Sequence, residues 1–134
     1  MRLLGIPASL VILMLAACET AATAPPTAPL APAAADLPAQ FARFHGVWSG
    51  KWDKTWDVTF VVDQISSNGD STVQYYWKEH VPGAWLHQTY SGCIRGDVLT
   101  DNVITITLDA SDNSKAVAVG KFEMNTRTAE LTKL

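Results

Sequence analysis

Three kinds of residue in this 134-residue chain could carry chemistry: two cysteines, three histidines and a dense group of aromatics. The thiols, Cys18 and Cys93, are too few for a disulfide-rich scaffold. The imidazoles are His45, His80 and His87. His80 and His87 stand on either side of Pro82-Gly83, a turn signal. Metal sites ordinarily space their ligands more closely, or add thiolates and carboxylates to the pair. Asp53, Asp70, Asp97, Asp101, Asp109 and Asp112 fall where the chain turns, and turn chemistry accounts for them without general acid–base work. No Gly-rich phosphate loop, Gly-x-Ser-x-Gly elbow or His-Glu-x-x-His is present. These observations predict no catalytic residue, no metal and no cofactor. A net charge of −3 gives no surface for nucleic acid.

The aromatics offer binding chemistry instead. Trp48, Trp52, Trp56, Tyr75, Tyr76, Trp77, Trp85 and Tyr90 lie in one stretch of the chain. Such rings either fill a core or wall a site for an apolar or sugar ligand. In a small domain, core filling is the leading reading. Alternation divides the set. Trp56, Tyr75 and Trp77 keep phase with Val58, Phe60 and Val73 and read as core. Trp52, Tyr76 and Trp85 flank turns or fall on the opposite phase, which predicts that they share an opening or surface patch and touch ligand. Cys93, with Cys18 otherwise engaged, reads as a small buried hydrophobe.

These groups must be positioned by a chain of three unlike segments. Residues 1–17 are almost wholly apolar, with Arg2 the one charge, and Leu3–Leu15 form an apolar run. That run has signal-peptide length and is short of the roughly twenty residues a membrane span needs. Residues 18–40 follow Cys18 with nine Ala, five Pro and three Thr between Glu19 and Gln40. Pro removes amide donors and forbids regular structure, so this stretch reads as an extended tether reaching up to roughly 50 Å. Residues 41–134 hold all twelve aromatics and form the folded unit.

Within that unit Asp36 would cap a short helical turn over Leu37–Phe44. Then the period becomes two. Strands are expected over Val47–Trp52, Trp56–Val62, Val73–Trp77, Trp85–Tyr90, Val98-Leu99, Val103–Leu108, Lys115–Phe122 and Ala129–Lys133. Ser67-Asn68-Gly69-Asp70 supplies a hairpin turn. About eight strands with turns every ten residues or so predict an all-β, antiparallel up-and-down barrel or strongly curved meander, with a two-sheet sandwich as the alternative.

Two resemblances add to this reading. Leu15-Ala16-Ala17-Cys18, behind the apolar run, resembles the lipobox of bacterial lipoprotein precursors. The resemblance implies diacylglycerol on the Cys18 thiol, cleavage before Cys18 and a membrane-anchored protein of the cell envelope. Glu19, where Asp would signal inner-membrane retention, implies the outer membrane, facing the periplasm. Gly46-x-Trp48, opening the first strand behind a helical turn, is similar to the Gly-x-Trp start of lipocalins and related calycin barrels. Small bacterial domains with a G-x-W-x-G-x-W pattern and avidin-type barrels begin similarly. Lipocalins set an Arg from their last strand region against that Trp, and Arg127 is the nearest candidate here. The resemblance implies a module holding a small apolar ligand or an envelope component. The alternative is a non-catalytic surface-interaction protein, an inhibitor or assembly accessory. Ser91-Gly92-Cys93-Ile94 starts like the Ser-Gly-x-x-Tyr signature of small lipoproteins that inhibit lysozyme, without its Tyr.

Overall fold

Side chains alternate in type from residue 46 to residue 133, and each alternating stretch forms a strand. The computed structural model describes residues 24–80 and 83–134. The apolar run, the expected lipobox and Cys18 lie outside the described residues. A single helical turn, α1 (Ala39–Ala42), precedes β1 (Gly46–Trp52), β2 (Trp56–Ile65), β3 (Asp70–Trp77), β4 (Leu86–Arg95), β5 (Val98–Thr100), β6 (Ile104–Leu108), β7 (Lys115–Lys121) and β8 (Thr126–Lys133). Every strand pairs antiparallel with the next, and β8 returns to β1, so the sheet closes as an up-and-down barrel. Closure removes the two free edges an open meander would expose. The sandwich alternative is excluded.

One end of the barrel is plugged. Asp36 caps nothing there. Pro38 occupies the N-cap position with φ −51°, and α1 starts after it. Proline suits that place because it brings a preset φ and no amide hydrogen to satisfy. The short turn drops Phe44 into the barrel, where it is fully buried. The indole N–H of Trp48 donates to the Phe44 carbonyl at 2.9 Å. Lys133 Nζ donates to the Arg43 carbonyl at 2.7 Å and lies 4.9 Å from the centre of the Trp48 ring. Burial lowers the Lys133 pKa from its ordinary value. The basic residue set against the Gly46-x-Trp48 motif is therefore Lys133, not Arg127. The β1–β8 register decides this by pairing Trp48 with Lys133. Arg127 belongs to the opposite end.

The interior is asymmetric. β1, β2 and β3 contribute Trp48, Trp52, Phe60 and Tyr75, whereas β7 and β8 contribute Ala116, Ala118, Gly120 and Ala129. Large rings on one wall need small residues on the facing wall to reach native packing density. A Cβ on Gly120 would stand 2.6 Å from the Phe122 ring and 3.2 Å from Trp52. Gly50 serves closure itself, since a Cβ there would lie 2.1 Å from the Glu130 carbonyl oxygen. Above Phe44 and Trp48 the interior is filled. A residual void of about 10 Å³ remains among Phe60, Val73, Leu99 and Ile106.

The Ala/Pro segment is described from residue 24. Pro25 is buried, and Pro32, Ala33, Ala34 and Leu37 line a groove together with His45, Asp63 and Gln64 of the barrel. This part of the segment lies against the outside of the barrel. Among the described residues, no helix is long and apolar enough to cross a membrane.

Candidate functional site

The end of the barrel away from α1 holds a cup. Trp52 closes β1 and Trp56 opens β2, so the tight connection between them sets both indoles at one rim. Asp53 and Lys54 make that connection with positive φ. The ends of β3, β4 and β8 add Tyr75, Trp77, Gln88, Tyr90 and Arg127, and the β7–β8 turn adds Phe122 and Met124. Together they enclose a cavity of about 490 Å³. Its wall is cut away on one side. β5 spans three residues and pairs only with Cys93–Arg95 of β4. Among the described residues, the stretch of β4 from Leu86 to Gly92 is laddered to β3 alone.

The rings have an ordered arrangement. Phe60 and Tyr75 stack at 5.1 Å, and Tyr75 and Trp77 at 4.7 Å, forming a column up the β2–β3 wall. Trp52 meets Phe60 and Phe122 edge-on, at 6.0 Å and 5.8 Å. Its indole N–H donates to the Tyr75 hydroxyl oxygen at 2.8 Å. Burial pushes the Tyr75 phenol up to about 12, against the opposing pull of the Trp52 hydrogen bond. Burial also raises the Tyr90 pKa, with the Asp101 carboxylate adding to the effect. Tyr90 donates to Gln88 Oε1 at 2.9 Å.

Charge at the rim is internally balanced. The Arg127 guanidinium lies 4.1 Å from the centre of the Trp56 ring and 3.6 Å from the Asp53 carboxylate. Lys78 reaches Asp57 at 3.7 Å. Glu79 and Glu123 complete the charged part of the lining.

The three aromatics expected to share an opening do not meet. Trp52 is 3 % exposed and forms part of the inner wall of the cup. Tyr76 points outward from β3 and packs on His87 of β4, ring centres 4.5 Å apart. Trp85 stands just before β4 with the Lys78 ammonium 4.8 Å over its ring, and does not line the cup. The reason is phase. Trp52 shares the inward phase of Trp48 and Gly50 on β1, while Tyr76 has the outward phase of β3. Conversely Trp56, Tyr75 and Trp77, read as core, line the cup. In a barrel the core and the cavity lie on the same face of each strand. Only the position along the strand separates them. Inward aromatics at strand ends were the available signal, and Trp56 and Trp77 carry it.

The remaining chemistry-bearing groups are scattered. His87 is exposed, with Nε2 2.6 Å from Gln74 Oε1. Cys93 is free and half-buried rather than buried. It lines a broad groove of about 1180 Å³ whose other residues include Thr72, Ser91 and Thr100. Arg95-Gly96-Asp97 forms the β4–β5 turn, where Gly96 takes φ +60° and Asp97 pairs with Arg43 at 2.8 Å. Among the described residues, no group of three His, Cys, Asp or Glu could hold a metal ion.

Comparison with protein-family models, with curated proteins and with solved structures finds no match for this chain.

Proposed function

We propose that this protein is a lipid-anchored binding module of the bacterial cell envelope that holds a small, flat, apolar ligand in its aromatic cup. The observation that carries the reading is the cavity of about 490 Å³ walled by Trp52, Trp56, Tyr75 and Trp77. Ligand sites are concave, largely apolar and furnished with few polar groups, within roughly 300–1,000 Å³. The plug formed by α1, Trp48 and Lys133 supports a lipocalin-like arrangement, closed at one end and open at the other. Anchoring rests on Leu15-Ala16-Ala17-Cys18 and the apolar run before it. Three acyl chains, at about 0.8 kcal/mol per buried CH₂, hold a domain of this size at a membrane. Glu19 after the lipidated Cys18 supports the outer membrane.

Native mass spectrometry of the detergent-solubilised protein tests the reading. A reproducible extra mass that departs on denaturation is the expected result. A bare protein whose indole fluorescence also ignores naphthalene-sized ligands would overturn it. A barrel that works through its surface would then be the better description, and the filled half of the interior already suits that reading.

A further inference from the structure

The hydroxyl hydrogen of Tyr75 is unspent. An indole N–H only donates, so in the 2.8 Å contact with Trp52 the phenol oxygen is the acceptor. Among the described residues that hydroxyl has no other hydrogen-bond partner. Tyr75 is 4 % exposed; the rings of Phe60, Trp77 and Trp52 beside it offer no strong acceptor, and Tyr90, ring centres 5.8 Å away, turns its hydroxyl to Gln88 without a hydrogen bond to Tyr75. The side-chain carbonyl of Gln88, elsewhere on the wall, receives Tyr90 and makes no hydrogen bond to Tyr75. A hydroxyl that lines a cavity with its donor unused is placed to give a hydrogen bond to whatever fills that cavity.

The rim narrows the class further. Each of the two cations in the lining already faces a carboxylate, Arg127 that of Asp53 at 3.6 Å and Lys78 that of Asp57 at 3.7 Å, and Arg127 also covers the Trp56 face. Glu79 and Glu123 oppose them in the lining. A carboxylate ligand would have to compete with Asp53 and Asp57 for those cations and would meet Glu79 and Glu123, and a ligand with donors alone would face another donor.

Resting on the reading of the cup as a ligand site, we infer that it is built for a neutral, flat ring system bearing an acceptor oxygen, a carbonyl or ether, that receives the Tyr75 hydroxyl hydrogen. The ring body lies against Trp56 and Trp77. The Trp52 hydrogen bond occupies the phenol oxygen as an acceptor and leaves its hydrogen for the ligand.

Three probes of one ring size separate the possibilities in the full-length protein, read by calorimetry: 2-acetylnaphthalene, 2-ethylnaphthalene and 2-naphthoate. The acetyl compound is expected to bind about fivefold tighter than either of the others, the gain of one net hydrogen bond. In Tyr75→Phe that advantage disappears, while 2-ethylnaphthalene keeps its affinity within about twofold. Thermal unfolding reports whether this variant is folded, and the ranking of the three probes on the unaltered protein decides the matter without it. Equal binding of the acetyl and ethyl compounds, or tightest binding of naphthoate, overturns this inference and leaves the ligand site standing. Binding of none of the three overturns both.

Discussion

Trp52 on β1 and Tyr75 on β3 are joined over the inner face of β2, indole N–H to phenol oxygen at 2.8 Å, with the Phe60 ring of β2 packed against both. Both residues are buried, yet both line the cup. The bond ties three strands together at the level where the packed interior gives way to the cavity.

Replacing Trp52 by Phe keeps a ring in that place and removes the donor. A loss of about 1–2 kcal/mol is expected, from the hydrogen bond and the smaller ring, measured by urea denaturation. An unchanged midpoint would show that the bond does not contribute to stability.

The Tyr75 phenol titrates at about 12 in the folded protein, above its ordinary value of 10.0. The raised value means that the folded state holds this proton more tightly than the unfolded chain does. Its contribution is fully present below pH 10, declines as pH rises from 10 to 12, and totals about 2–3 kcal/mol over that window. Absorbance of phenolate should resolve a late tyrosine transition near pH 12, and Tyr75→Phe should remove it.

Lys133 and Arg127 both lie over indoles, at opposite ends of the barrel. Lys133 also tethers α1 through the Arg43 carbonyl. Lys133→Met is expected to cost about 1–2 kcal/mol of stability in a denaturation curve. Arg127→Met should cost less, because its ion pair with Asp53 is long, at 3.6 Å, and partly open to solvent, but it uncovers Trp56 and should shift ligand affinity and indole emission. The reverse ranking in stability would mean that the plug is not what Lys133 holds.

Gly50→Ala would drive a methyl to 2.1 Å from the Glu130 carbonyl, where backbone must move. Loss of more than about 3 kcal/mol, or failure to yield folded protein, is expected, because the β1–β8 ladder closes the barrel. Gly96→Ala is the control. It meets nothing within 4 Å and suffers only from φ +60°, a cost of about 1–2 kcal/mol.

Cys18→Ser should abolish the lipid-dependent membrane fraction and leave an unprocessed or soluble form. Cell fractionation checks this. A variant that still sediments with membrane as the original does would require a different anchor.

Much of the fold was legible because strand alternation is a local property. Val58, Phe60 and Val62 announce one buried face without reference to any other strand. Asn68-Gly69 marks its hairpin for the same local reason, and Gly69 does take φ +92°. The pattern of Trp85–Tyr90 marks only part of β4, which runs on to Arg95, because Ser91, Gly92 and Cys93 lack the bulk and branching that mark a strand. They are strand because β3 pairs with all three and β5 with Cys93.

Period and turn chemistry by themselves determined an all-β domain of about eight antiparallel strands, its small-residue strand at Ala116, Ala118 and Gly120, and the inward phase of Trp56, Tyr75 and Trp77. Which inward residues fill and which line a cavity depended on closure. The β1–β8 register set Lys133, and not Arg127, against Trp48. α1 plugs one end only, so inward rings near Phe44 became core and inward rings near Phe122 became the cup. Phase is fixed by the pleat of one strand, whereas depth along the barrel axis is fixed by the register of all of them, and no local pattern carries that.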